Sequence, residues 1–210
     1  MTGLRFLLSI VLLCLSGMEL CSFVNAQGIR VAVPQLPVFK GVPYGRPFGG
    51  NPEAFTIPAL FEGLTYIDKS GVVRPQLAIS WEKVSDNHWH FVLRDGVVFS
   101  NGAPFNAQTV IRNLDFVREE QSAVYSVVQQ LAHITRIVAP SSHSIDVFTD
   151  RPDPFMSQLM SIFYMVEPGQ WARLGQIGFA AEPIGTGPHK VRSWRDTVIE
   201  LERADRAWRQ

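Results

Sequence analysis

Cysteine is nearly missing from this chain: Cys14 and Cys21 are its 2 thiols among 210 residues, and both sit close to the N-terminus. A chain trimmed of that segment has none, which excludes a disulfide framework, a thiolate metal centre and a cysteine nucleophile. An excess of either charge is missing too, since Lys+Arg and Asp+Glu number 19 each and the formal net charge is zero. Binding nucleic acid by counterion release needs a basic stripe, and attraction to an anionic membrane needs the same, so the balance argues against both partners. There are no charge runs, internal repeats or low-complexity tracts. The sequence has no Gly-x-Ser-x-Gly elbow, no His-Glu-x-x-His pair and no Ser-x-x-Lys followed by partner motifs, so no catalytic residue is assigned and no enzyme is expected. Gly185-Thr186-Gly187 lacks the Lys-Ser/Thr of a P-loop and the third glycine of a dinucleotide fingerprint, and Pro188 follows it. A structural loop is expected there, and no cofactor.

What remains is 46% hydrophobic and 18% charged, the composition of a folded globule. The one long apolar run, Phe6 to Leu15, follows Arg5 and precedes small residues at Val24-Asn25-Ala26. That order reads as a signal peptide over 1–26, cleaved after Ala26, with export to the periplasm. Glu19 interrupts the run too early for a membrane-spanning helix. A lipoprotein is the third option, because Cys21 follows Leu20.

Past the leader, the residue pattern predicts an α+β chain. Ile29 to Val33 reads as a strand, and the Pro-, Gly- and aromatic-rich stretch to Gly50 as a loop. A helix is predicted from Asn51-Pro52-Glu53, with Gly63 as its stop. Strands follow at Leu64 to Ile67, Trp81 to Ser85, His88 to Leu93 and Val97 to Phe99, with one helical turn at Pro75 to Ser80. In His88 to Leu93 the alternation of Trp89, Phe91 and Leu93 marks a half-buried strand. Asn106 should cap a helix whose buried stripe is Val110, Leu114 and Val117. Ser122 to Leu131 should be helical, Ile134 to Val138 and Ser144 to Phe148 strands, and Pro154 to Ser161 and Pro168 to Leu174 helical. Gly175 to Pro188 reads as a loop, and His189 to Trp194 with Val198 to Arg203 as a hairpin.

Ligand contact is expected from the aromatic loop, at Tyr44, Phe48, Gly49, Gly50 and Asn51, ahead of a helix N-terminus whose free N–H groups favour anionic or carbonyl groups. The alternative is that Tyr44 and Phe48 only pin a long loop to the core. Asp86, His88 and His90 alternate along one strand, but no fourth ligand is evident, so a solvent-facing polar edge is expected and no metal. His133, His143 and Asp146 carry no catalytic signature.

The order of several segments resembles the extracytoplasmic solute-binding proteins of family 5, which serve peptide, dipeptide and nickel ABC transporters. Leu60-Phe61-Glu62-Gly63-Leu64-Thr65 is similar to that family's early helix-to-strand junction, and Pro75 to Glu82 to its tryptophan-bearing strand. The block from Trp89 to Ala107 is similar to its hairpin, turn and capped helix. Pro183-Ile184-Gly185-Thr186-Gly187-Pro188, Trp194 and Ile199 to Arg203 resemble its return loop and following hairpin. His189 stands where the family usually has tyrosine. The resemblance implies a periplasmic-binding-protein-like lobe one over 27–210, lacking the distal lobe. It implies a monomer that binds a peptide or other small solute without catalysis and delivers it to the membrane permease of an ABC transporter. The alternative is a truncated lobe acting as a stand-alone interaction module or a non-functional remnant.

Overall fold

The computed structural model describes residues 32, 33, 36, 37, 41–44, 53–119, 126–195 and 197–209. The predicted leader and its cleavage site, and most of the aromatic loop, lie outside the described residues. The chain divides into two compact units, Met1–Ala32 and Val33–Gln210. Of the first, only Ala32 is described.

Helix α1 (Glu53–Leu60) leads into the short strand β1 (Thr65–Ile67), which pairs antiparallel with β2 (Val73–Pro75). The turn between these strands is held by Asp68, whose carboxylate accepts from the Ser70 and Val72 N–H groups at 2.9 and 3.0 Å. Strands β3 (Ala78–Ser85) and β4 (His88–Leu93) form a hairpin. Helix α2 (Ala107–Arg118) and the short α3 (Ser126–Leu131) then carry the chain across to β5 (Ile134–Ser141) and β6 (Ser144–Thr149). The resulting antiparallel sheet has the order β3-β4-β6-β5. Helix α4 (Met156–Leu159), helix α5 (Pro168–Ala181) and the hairpin of β7 (His189–Arg195) with β8 (Val198–Arg203) complete the described chain. It is an α+β arrangement, as expected.

The period-2 reading of β4 holds. Trp89, Phe91 and Leu93 are buried, and they join Ile145 and Val147 of β6 in the core. The α2 stripe holds too: Val110, Leu114 and Val117 are buried beneath a capping box in which Asn106 Oδ1 accepts from Thr109 N at 3.1 Å. That cap satisfies an N–H group the first helical turn would otherwise leave unpaired.

Three local expectations fail. Pro75 to Ser80 forms no helical turn, because the Leu77 and Ala78 N–H groups are taken by the Gly63 and Leu64 carbonyls at 3.3 and 2.7 Å. Those bonds extend the chain and start β3 at Ala78. Val97 to Phe99 reduces to a single bridge, Val98 with Pro104. Gly175 to Ala181 is helix and not loop. Gly175 breaks α5 for one residue at φ 62°, where glycine carries no Cβ penalty, and the helix resumes. Phe179 is the reason it resumes: buried, it packs on Trp171 and Phe61 at ring distances of 5.2 and 6.2 Å. The predicted first strand falls largely outside the described residues, and Ala32 and Val33 are not in a strand.

Candidate functional site

Tyr44 lies in the core. Its ring is fully buried and meets Trp171 edge-on at 6.1 Å. Its hydroxyl donates to Asn113 Oδ1 at 3.1 Å and lies 3.4 Å from the Tyr164 carbonyl. Burial, with Glu119 nearby, pushes the phenol far above the ordinary tyrosine value, so it stays a neutral donor. Phe48, Gly49, Gly50 and Asn51 lie outside the described residues.

Asn113 is the centre of this region and drew no notice in the sequence. It is fully buried, with Oδ1 accepting from Val166 N at 2.8 Å and Nδ2 donating to the Thr109 and Val166 carbonyls at 2.9 and 3.0 Å. One amide thereby ties α2, the Tyr44 segment and the strand-like stretch before α5 together. A polar residue within the apolar stripe, three after Val110 and four before Val117, was the available signal.

The Gly185-Thr186-Gly187 loop is structural. Gly187 N donates to the Leu60 carbonyl at 3.0 Å, and a Cβ on Gly185 would stand 2.1 Å from that same oxygen. The glycines are there so that two backbones can touch at the end of α1.

The histidines also differ from expectation. Asp86 sits in the β3–β4 turn and pairs with Lys83 at 2.6 Å. His88 and His90 are not a bare polar edge: both reach Asp146 Oδ1 on the neighbouring strand, at 3.2 and 2.7 Å. Burial raises the Asp146 carboxyl, but the hydrogen bonds from His90 and His88 outweigh it and hold the group below its ordinary value. His133 pairs instead with Asp153 at 2.8 Å and His143 with Asp95 at 3.0 Å, so His133, His143 and Asp146 are not brought together. Among the described residues, no group of three or more His, Cys, Asp or Glu side chains is placed to hold a metal ion.

An open cleft of about 890 Å³ lies between β1, the stretch around Tyr164 and the start and end of the β7–β8 hairpin. Its apolar wall is formed by Phe61, Tyr66, Ile67, Ile162 and Tyr164. Burial raises the Tyr164 phenol, which keeps it neutral in this wall. The basic side of the cleft carries His189, Arg203 and Arg209, and none of its lining residues among the described ones is a carboxylate. Arg209 is held from behind. It forms an ion pair with the fully buried Glu62, which also accepts from Trp208 Nε1 at 2.6 Å. With the Gln76 amide oriented to satisfy its neighbours, its nitrogen donates to the Thr65 carbonyl at 2.9 Å and its oxygen accepts from Arg209 at 3.1 Å. Arg94 stacks over the Trp208 ring at 4.3 Å and completes the clasp. None of the cleft's wall was named as a site from the sequence, because its residues come from stretches far apart in the chain.

The family described as bacterial extracellular solute-binding proteins, family 5 middle, matches residues 72–210. Among curated proteins, the HTH-type transcriptional regulator SgrR of Photorhabdus laumondii is 32% identical over 158 residues, covering 70% of this chain and 27% of that protein. Among solved structures, Burkholderia pseudomallei OppA aligns with a TM-score of 0.71 at 23% identity, over 83% of this chain and 38% of that one. Haemophilus influenzae OppA, solved in complex with RPPGFSPFR, aligns with a TM-score of 0.72 at 22% identity, over 83% of this chain and 37% of that one. The fold is thus that of the periplasmic binding proteins, and the chain spans about a quarter to two fifths of the length of these relatives.

Proposed function

This chain belongs to the bacterial extracellular solute-binding proteins of family 5, and we propose that it captures a small solute or peptide outside the cytoplasm and passes it to the membrane permease of an ABC transporter. No bond is made or broken in that role: the protein contributes affinity and a conformational readout. The observation that carries the reading is the cleft, an open space of about 890 Å³ with an aromatic wall facing a basic edge. Such a combination of apolar lining and a few polar anchors is the usual make-up of small-molecule sites. Phe48, Gly49, Gly50 and Asn51 are proposed as further contacts, with Tyr44 anchoring their loop from the core. The segment 1–26 is proposed as the export signal.

The test is native mass spectrometry of the protein purified from its source, followed by calorimetry with whatever solute is released. Recovery from the periplasmic fraction with 1–26 removed is the companion result. A protein that carries and binds no solute from a broad peptide and small-molecule panel would falsify the proposal and favour an interaction module or remnant.

A second reading rests on the curated relatives named as transcriptional regulators, of which this chain covers a minor part. In that reading the same cleft senses a solute for regulation and not for uptake. A protein found in the cytoplasm with 1–26 intact would support it.

A further inference from the structure

We infer that the solute taken by this cleft is an amphipathic anion, a carboxylate or comparable acidic group on an apolar or aromatic body, with Arg203 and His189 as its anchor. The inference rests on the solute-binding reading above and narrows it to one chemical class.

His189 of β7 and Arg203 of β8 are directly opposite in the antiparallel register, so their side chains share a face. Both are exposed, and both line the cleft. Two basic side chains in that position disfavour the pairing of their strands whenever the imidazole is protonated. Elsewhere the same hairpin neutralises its cations. Lys190 contacts Glu202 and Asp205, each at 3.3 Å, Arg195 pairs with Glu200, and Arg192 acts on Glu200 as well. Among the described residues, Arg203 and His189 have no carboxylate partner. Among its described residues, the hairpin therefore leaves this basic pair uncompensated at the cleft.

The rest of the lining agrees. Arg209 adds positive charge, although Glu62 and Gln76 already hold it, and among the described residues no lining carboxylate offsets the group. A cationic solute or a bare metal ion would find no counter-charge among the described lining residues. The opposite wall is apolar, with Tyr66 at 41% and Ile67 at 48% exposed, so an inorganic anion would leave that surface wet. A molecule with an acidic end and an apolar body satisfies both sides at once. Guanidinium is suited to the acidic end because its planar N–H fork matches both oxygens of a carboxylate.

The test uses the full chain and a matched pair of probes, N-acetylphenylalanine as the free acid and as its primary amide, by calorimetry at low salt. The acid is expected to bind at least about tenfold more tightly, a difference of about 1.4 kcal/mol. Arg203→Gln should bring the acid down to the affinity of the amide while leaving the melting temperature within about 1 °C, because this side chain is exposed. His189→Gln should give a smaller loss in the same direction. Equal binding of acid and amide, or an unchanged ratio in Arg203→Gln, overturns the anionic class and leaves solute capture standing. The same holds if neither probe binds but a neutral solute does. If no solute of any kind binds, capture itself fails, and this inference with it.

Discussion

Replacing Asn113 with alanine should be among the most damaging single changes in the chain. The side chain is fully buried and spends both of its polar atoms on groups that have no route to water. Removing it strands the Val166 N–H, the Val166 carbonyl and part of the Tyr44 hydroxyl's bonding, and opens a small void. A buried donor or acceptor left unmade costs about 1–3 kcal/mol. Tyr44 retains the longer contact to the Tyr164 carbonyl, so its share is small. The Val166 groups and the void together predict a loss of roughly 3–5 kcal/mol. Tyr44→Phe removes only one end of one bond and should cost about 1 kcal/mol. The double variant should show a coupling of about 1 kcal/mol, since the two residues share a bond that neither single variant retains. Urea unfolding followed by far-ultraviolet circular dichroism measures all three. An Asn113→Ala cost below about 1 kcal/mol, or wild-type stability in Asn113→Leu, would refute the reasoning.

Three further outcomes are expected. Gly185→Ala should cost about 3 kcal/mol or more, because its Cβ meets backbone at 2.1 Å, whereas Gly71→Ala meets open space and carries only the strain of φ +78°. Thermal melts of the pair decide it, and equal losses would contradict the close approach. Arg209→Ala should destabilise more than Glu62→Gln, about 2 against about 1 kcal/mol, because the first leaves a buried carboxylate uncompensated while the second leaves a guanidinium that reaches solvent. The opposite order in urea titrations would count against the clasp. The Asp146 carboxyl is held below its unfolded value, so its contribution is present above about pH 4 and disappears as pH falls through the lowered folded value. Asp146→Asn should therefore flatten the stability curve below about pH 4, and an unchanged slope there would show that the histidine contacts do not matter.

The parts of the fold legible in the sequence were those fixed by short-range periodicity and capping chemistry. Strand β4, helix α2 with its Asn106 cap and the β7–β8 hairpin followed from spacing alone. Pro75 to Ser80 and Gly175 to Ala181 did not, because partners far away in sequence decide their conformation: the Gly63 and Leu64 carbonyls for the first, Trp171 and Phe61 for the second. The candidate site was the least legible part. Tyr44, singled out for its place in an aromatic loop, turned inward to Asn113. The cleft draws on Phe61, Tyr66, Tyr164, His189 and Arg203, and no spacing rule links those positions. Sequence similarity covers the scaffold, and scaffold residues do not announce which of their surfaces meet.

The bond from Trp208 to Glu62 has a kinetic side. It joins residues 146 apart, so in a ribosome-bound chain the carboxylate is made long before its partners emerge. Closing a loop of that length costs roughly 4 kcal/mol in chain entropy, which local contacts cannot offset early in folding. Glu62 therefore needs water until the segment after β8 arrives. The refolding of the lobe should then finish with this contact, and Glu62→Gln should speed that final phase even as it weakens the finished structure.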